Sequence, residues 1–246
     1  MPSGRHILVL CCALAASLAA AASASATKVT IDSHLTPVLR AFPSRPVPAT
    51  LSIALGFQGD DGGEPPVLQQ AKIDFPWGAN FNGNLFPSCD PTKIADKGTK
   101  ACPKGSKIGT GFAIGAAAGG SIRQKVDVTL FNGKGGKSIV FYLVGNGDPL
   151  SFAIPFAGAF QTFGGGDWHY GLTVPVPESL QRVAGIDVSV EQFNVKVGAT
   201  RVVHGRKRGL IEALICPPGA LVPLRGTFSF LDNPSVTQNS YVHCGK

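Results

Sequence analysis

The residues best suited to chemistry in this 246-residue chain are Asp167-Trp168-His169-Tyr170, which follow the turn Gly164-Gly165-Gly166. Aromatic rings beside polar groups can stack on sugar faces while Asp and His hydrogen-bond hydroxyls. The same residues suit a plainer role, with Trp168 and Tyr170 packed at a sheet edge and Asp167 in the turn. Arg206-Lys207-Arg208 falls where a hairpin tip is expected and could meet phosphate or carboxylate groups, although a solubilising turn has the same composition. Asp60, Asp61 and Glu64 place carboxylates in one loop without the alternate-position spacing of a calcium loop. No Gly-x-Ser-x-Gly elbow or His-Glu-x-x-His pattern occurs, and His34, His169, His204 and His243 are scattered singly. The expectation is a protein without catalytic residues, bound metal or cofactor.

Phe131-Asn132-Gly133-Lys134-Gly135-Gly136-Lys137-Ser138 superficially resembles a phosphate-binding loop. Its first position is Phe131 instead of Gly, and a strand pattern follows instead of a helix, so a hairpin turn is the reading adopted.

Cys89, Cys102, Cys216 and Cys244 allow three pairings. Nearness favours Cys89–Cys102, which leaves Cys216–Cys244. A zinc site would need short paired spacings such as C-x-x-C, and none exists. Disulfides imply an oxidising compartment.

The N-terminus agrees with that compartment. Arg5 and His6 precede an apolar run from Ile7 to Ala22, and Ala24-Ser25-Ala26 ends it with the small-x-small pattern of a cleaved export signal. Residues 1–26 are read as that signal, with a mature chain starting at Thr27. The run is shorter than the roughly 20 residues of a spanning helix. Cys11 follows Leu10, where a lipidation signal wants a small residue. Losing Arg5 takes the formal charge from +7 to +6, a dilute basic balance. It could favour envelope polysaccharide or another anionic surface, whereas nucleic-acid binding shows denser clusters interleaved with aromatics and is not expected. No later segment is apolar enough to be a transmembrane segment.

The elements that must position these residues are strands. Glycine (31) and proline (19) punctuate short β-branched and aromatic runs, and helical periodicity is nearly absent after residue 26. Leu51, Ile53, Leu55 and Phe57 alternate with Ser52, Ala54 and Gly56, as in a half-buried strand. Val126, Val128 and Leu130 alternate against Lys125, Asp127 and Thr129. Ile139–Val144 is apolar on both faces and reads as a central strand. Val188 and Val190 alternate, then Phe193, Val195 and Val197 do so after a one-residue slip at Glu191-Gln192, which predicts a β-bulge or a change of sheet. Asp90, Pro91 and Gly98 supply cap, first-turn proline and exit of a two-turn helix.

Ten or so such strands predict an all-β fold, a two-layer antiparallel β-sandwich with one or two short helical turns, stapled by two disulfides. A closed barrel is the main alternative. Residues 27–246 form one module, with Gly115–Gly120 the one plausible subdivision.

Phe86-Pro87-Ser88-Cys89, Ala101-Cys102-Pro103-Lys104-Gly105-Ser106-Lys107-Ile108-Gly109, Phe131-Asn132-Gly133, Gly171–Pro177 and Cys216-Pro217 with a final Cys244 together resemble a family of uncharacterised exported β-sandwich proteins from high-GC Gram-positive bacteria. The resemblance spans most of the chain after residue 26. It implies the pairings Cys89–Cys102 and Cys216–Cys244 and a single module, and carries over no catalytic residue.

These readings converge on an exported, secreted or envelope-associated, non-enzymatic structural or binding protein. The alternative is an extracellular carbohydrate-active or carbohydrate-binding protein using Asp167–Tyr170.

Overall fold

A computed structural model describes residues 27–39, 45–147, 150–217 and 219–245, so the expected export signal lies outside the described residues. In chain order the strands are β1 (Lys28–Thr36), β2 (Val47–Gln58), β3 (Leu68–Pro76), β4 (Ala79–Phe81), β5 (Lys107–Ala117), β6 (Ile122–Asn132), β7 (Ser138–Gly145) and β8 (Phe152–Thr162). They continue with β9 (Trp168–Pro175), β10 (Arg182–Val183), β11 (Ile186–Val197), β12 (Thr200–Val203), β13 (Arg206–Gly209), β14 (Ile211–Ala213), β15 (Leu221–Phe230) and β16 (Asn233–His243). Helix α1 spans Pro91–Lys97 and α2 spans Glu178–Gln181.

The two-layer sandwich is not what forms. Strands β11-β5-β6-β7-β8-β9-β3-β15-β16-β1-β2 follow one another by hydrogen bonding, and β2 pairs back onto β11 from Gln192↔Gly56 to Val197↔Leu51. The sheet therefore closes as an eleven-strand barrel. Alternation looks the same in a sandwich and a barrel, because each buries one face of every strand; the closing pair decides between them. An odd ring of otherwise antiparallel strands must contain one parallel join. Here it is β1 against β16, through Ser33↔Val242 and His34↔His243.

The slip at Glu191-Gln192 is a register shift in the β11–β5 pairing. Before it β11 pairs with β10, and after it with β2, so the bulge marks where the strand joins the closure. Gly115–Ala117 end β5, and the turn after them leads directly into the neighbouring wall strand β6.

Val126, Val128 and Leu130 face the barrel interior with Ile139, Phe141 and Leu143 of β7, while Lys125 and Asp127 are exposed outside. Val140 and Phe131 face outward and are buried under α1, with Ile94 and Cys89. That small outer core explains why β7 is apolar on both faces. The Asp90 carboxylate caps α1 by accepting from the Thr92 N–H at 3.0 Å, and Cys89–Cys102 ties the helical segment at both ends. Cys216–Cys244 joins the C-terminal strand to the segment after β14.

Candidate functional site

Interior side chains pack as two groups, one on β5–β9 and β11 and one on β1–β3, β15 and β16, which share Ile53, Phe75, Phe193 and Ile211 at their margins. Eight strands give an interior that side chains just fill, and eleven give a wider one. The surplus is a cavity of about 270 Å³. Beyond Ile108, strand β5 widens it by turning small residues inward: Gly109, Gly111, Ala113 and Gly115 share a face with Leu130, Val128, Val126 and Gln124 by register. At Gly111 a Cβ would run into the β11 backbone at Asn194 and Val195. Facing this small-residue strip are aromatics of β7 and β8, with Phe141 and Phe156 stacked at 5.2 Å.

The lining contains no Asp, Glu, Lys, Arg, His or Cys. Its polar side chains are Asn80, Tyr170 and Ser189. Such a surface can hold an apolar molecule by burial and shape, but it presents no carboxylate or imidazole for general acid–base chemistry.

One end of the barrel is crossed by the segment that follows β3. The chain leaves β3 at Pro76, pairs as β4 with β14, which pairs in turn with β2, four strands further round the ring. It then reaches β6, where the buried Asn132 side chain donates to the carbonyls of Gly83 and Phe86 at 3.0 Å each. The Gly78 carbonyl accepts from the Leu214 N–H at 2.8 Å, and the Asn82 N–H donates to the Leu210 carbonyl at 2.7 Å. Phe81 packs on Phe160 of β8 at 4.2 Å. This strap roofs the cavity. Among the lining residues only Trp77 and Ile215, at the strap's edge, are exposed, so they frame the mouth.

Trp77 is held in place while half exposed. Its ring stacks on His169 at 3.8 Å and its indole N–H donates to the Gly166 carbonyl at 3.1 Å. Comparison with protein-family models, with curated proteins and with solved structures finds no match. The site is therefore read from its own residues.

Asp167–Tyr170 does not form one surface. Tyr170 faces the cavity, His169 supports Trp77, Trp168 lies under the Arg225 guanidinium at 4.7 Å, and Asp167 is exposed in the turn. Arg225 also donates through Nε and Nη2 to Asp74 Oδ2, at 3.0 and 2.7 Å. Lys72 Nζ lies 3.5 Å from Asp74 Oδ1. Asp74 is 1 % exposed yet sits on the outer side of β3, covered by Phe163 and Trp168.

The basic group divides in the same way. Arg206 and Lys207 are exposed on the β12–β13 hairpin, whereas Arg208 pairs with both oxygens of Glu212 at 2.8 and 3.0 Å. Hydrogen bonding from Arg208 holds the buried Glu212 carboxyl below the usual carboxylate range, with the Gly209 N–H adding to it and burial opposing it. Glu64, in the acidic loop, accepts from the Gly120 N–H at 2.7 Å and so serves a turn. No cluster of potential metal ligands occurs among the described residues.

Sequence reasoning missed the cavity and Trp77. The alternation was the visible signal for the lining, but an enclosed space exists only once the ring closes.

Proposed function

We propose that this protein is an exported carrier or scavenger that holds a compact apolar molecule inside its barrel. The supporting observation is the predominantly apolar lining, free of charged side chains, of a cavity of about 270 Å³. Left unfilled, such a space forfeits packing on the order of 6 kcal/mol, at roughly 24 cal/mol per Å³. That is a large fraction of the ~5–15 kcal/mol by which domains are stable, so an occupant makes physical sense of it.

An apolar cavity of ~150 Å³ accepts benzene, so by proportion about ten non-hydrogen atoms fit here. Asn80 and Tyr170 lie toward the strap, which suits an amphiphile with its polar group at the mouth. Export is supported by the residue 1–26 pattern and by the two disulfides.

Thermal unfolding with naphthalene or 1-decanol tests the proposal. A ligand at about 100-fold its dissociation constant adds ~2.7 kcal/mol, which for a domain this size raises Tm by about 5–10 °C. Ala113→Phe should fill the space and abolish the shift while the protein stays folded. An unchanged shift in Ala113→Phe, or no shift in the wild type with any compact apolar compound, contradicts the proposal.

A further inference from the structure

We infer that the strap end of the barrel is a docking face for an anionic phospholipid bilayer, seated with Trp77 in the interfacial layer and the cavity mouth against the lipid. The inference rests on the cavity reading only for what docking would serve, namely exchange of an apolar molecule without crossing water.

The first observation is where the apolar surface lies. Nine large hydrophobic side chains are exposed among the described residues. Six belong to the strap end: Trp77 and Ile215 at the mouth, Val38 after β1, Val202 on β12, Leu221 at the start of β15 and Tyr241 near the end of β16. Ile122, Leu150 and Ile186 lie toward the other end. Gathered apolar exposure marks a contact surface more than scattered exposure does.

The second observation is charge. Lys100, Lys104, Lys107, Lys134 and Lys137 are exposed around the strap end, and none is in an ion pair among the described residues. Arg206 and Lys207 extend this rim on their hairpin. The opposite end carries exposed Asp60, Glu178, Asp187 and Asp232, and its Arg123 and Arg182 are paired with Glu191 and Asp187. Exposed Asp90, Asp96 and Asp167 lie among these basic residues and Lys28 lies at the far end, so the strap end is net basic and apolar while the opposite end is richer in carboxylates. Anionic headgroups attract exactly such unpaired lysines, and the attraction falls off within a Debye length, so the end facing the lipid is fixed.

The third observation is the state of Trp77. Its N–H already has an acceptor and one ring face is covered by His169, so inserting the exposed remainder into the headgroup layer leaves no polar atom unpaired.

The test uses the chain from Thr27 with both disulfides formed, and vesicles of phosphatidylcholine with and without phosphatidylglycerol. Trp168→Phe leaves Trp77 as the one indole, since the chain has two. Binding should require phosphatidylglycerol, weaken by about 10-fold or more from low to high salt, and shift Trp77 emission to the blue. Lys104→Gln, Lys107→Gln and Lys134→Gln together should weaken it about 100-fold, while Asp60→Asn with Asp232→Asn at the far end should not weaken it. No vesicle binding, binding without a blue shift, or equal binding to a soluble anionic polysaccharide overturns the inference. Naphthalene binding measured without vesicles reports on the cavity separately, so failure of one reading is distinguishable from failure of the other.

Discussion

Asp74 and Glu212 are each carboxylates 1 % exposed and held by one arginine, Arg225 and Arg208. Removing one partner of a fully buried pair costs about 3–5 kcal/mol; Arg225 is partly exposed and Lys72 still lies 3.5 Å from Asp74, so the loss is smaller. Arg225→Met should therefore destabilise by about 1–3 kcal/mol in urea unfolding, and adding Asp74→Asn should recover most of the loss. Glu212 gives a pH signature. Its folded carboxyl titrates below the usual range, so its stabilisation is complete above the unfolded-state value of ~4.3 and is lost as pH falls through the folded value. Glu212→Gln should flatten the decline of Tm between about pH 5 and pH 2 and lower Tm at neutral pH. Asp74 was not singled out in the sequence, because its partner lies 151 residues away and no local pattern points to it. Asp167–Tyr170 was legible as aromatic and polar, not as four side chains sent to different places by a strand whose faces alternate and by a register shift where β9 begins.

At the scale of elements, local chemistry wrote most of what formed. Alternation located β2, β6 and β11, a run apolar on both faces located β7, the phase slip located the bulge, and the cap residues located α1. The strap was not legible, because Trp77–Phe81 is short and pairs only with the equally short β14. The two disulfides act on different elements. Closing 13- and 28-residue separations is worth ~3 and ~3.5 kcal/mol on the chain-entropy model. Cys89 and Cys102 to Ser should loosen the outer core under α1 while cavity binding persists. Cys216 and Cys244 to Ser should loosen the β1–β16 join, where Leu39 N–H donates to the Cys244 carbonyl, and hydrogen exchange should rise first in β16.

At the scale of the molecule, the odd strand count and the cavity are linked. Eleven strands exceed what inward side chains can fill, and the strip of small residues on β5 leaves the surplus open instead of closing it. The ring closes through β2 and β11, pairing residues such as Leu55 and Phe193 that no neighbouring sequence connects, which is why the same alternation reads equally as a sandwich. No helix among the described residues is long and apolar enough to cross a membrane, and the apolar faces of the strands point into the barrel while Lys125, Asp127 and Lys72 lie outside. The central claim is that this interior holds a small apolar molecule. It is tested most directly by calorimetric titration of naphthalene into the folded protein and into Ala113→Phe. One saturable site in the wild type with negative heat-capacity change, absent from Ala113→Phe, is the expected result; no saturable binding, or equal binding in both proteins, contradicts it.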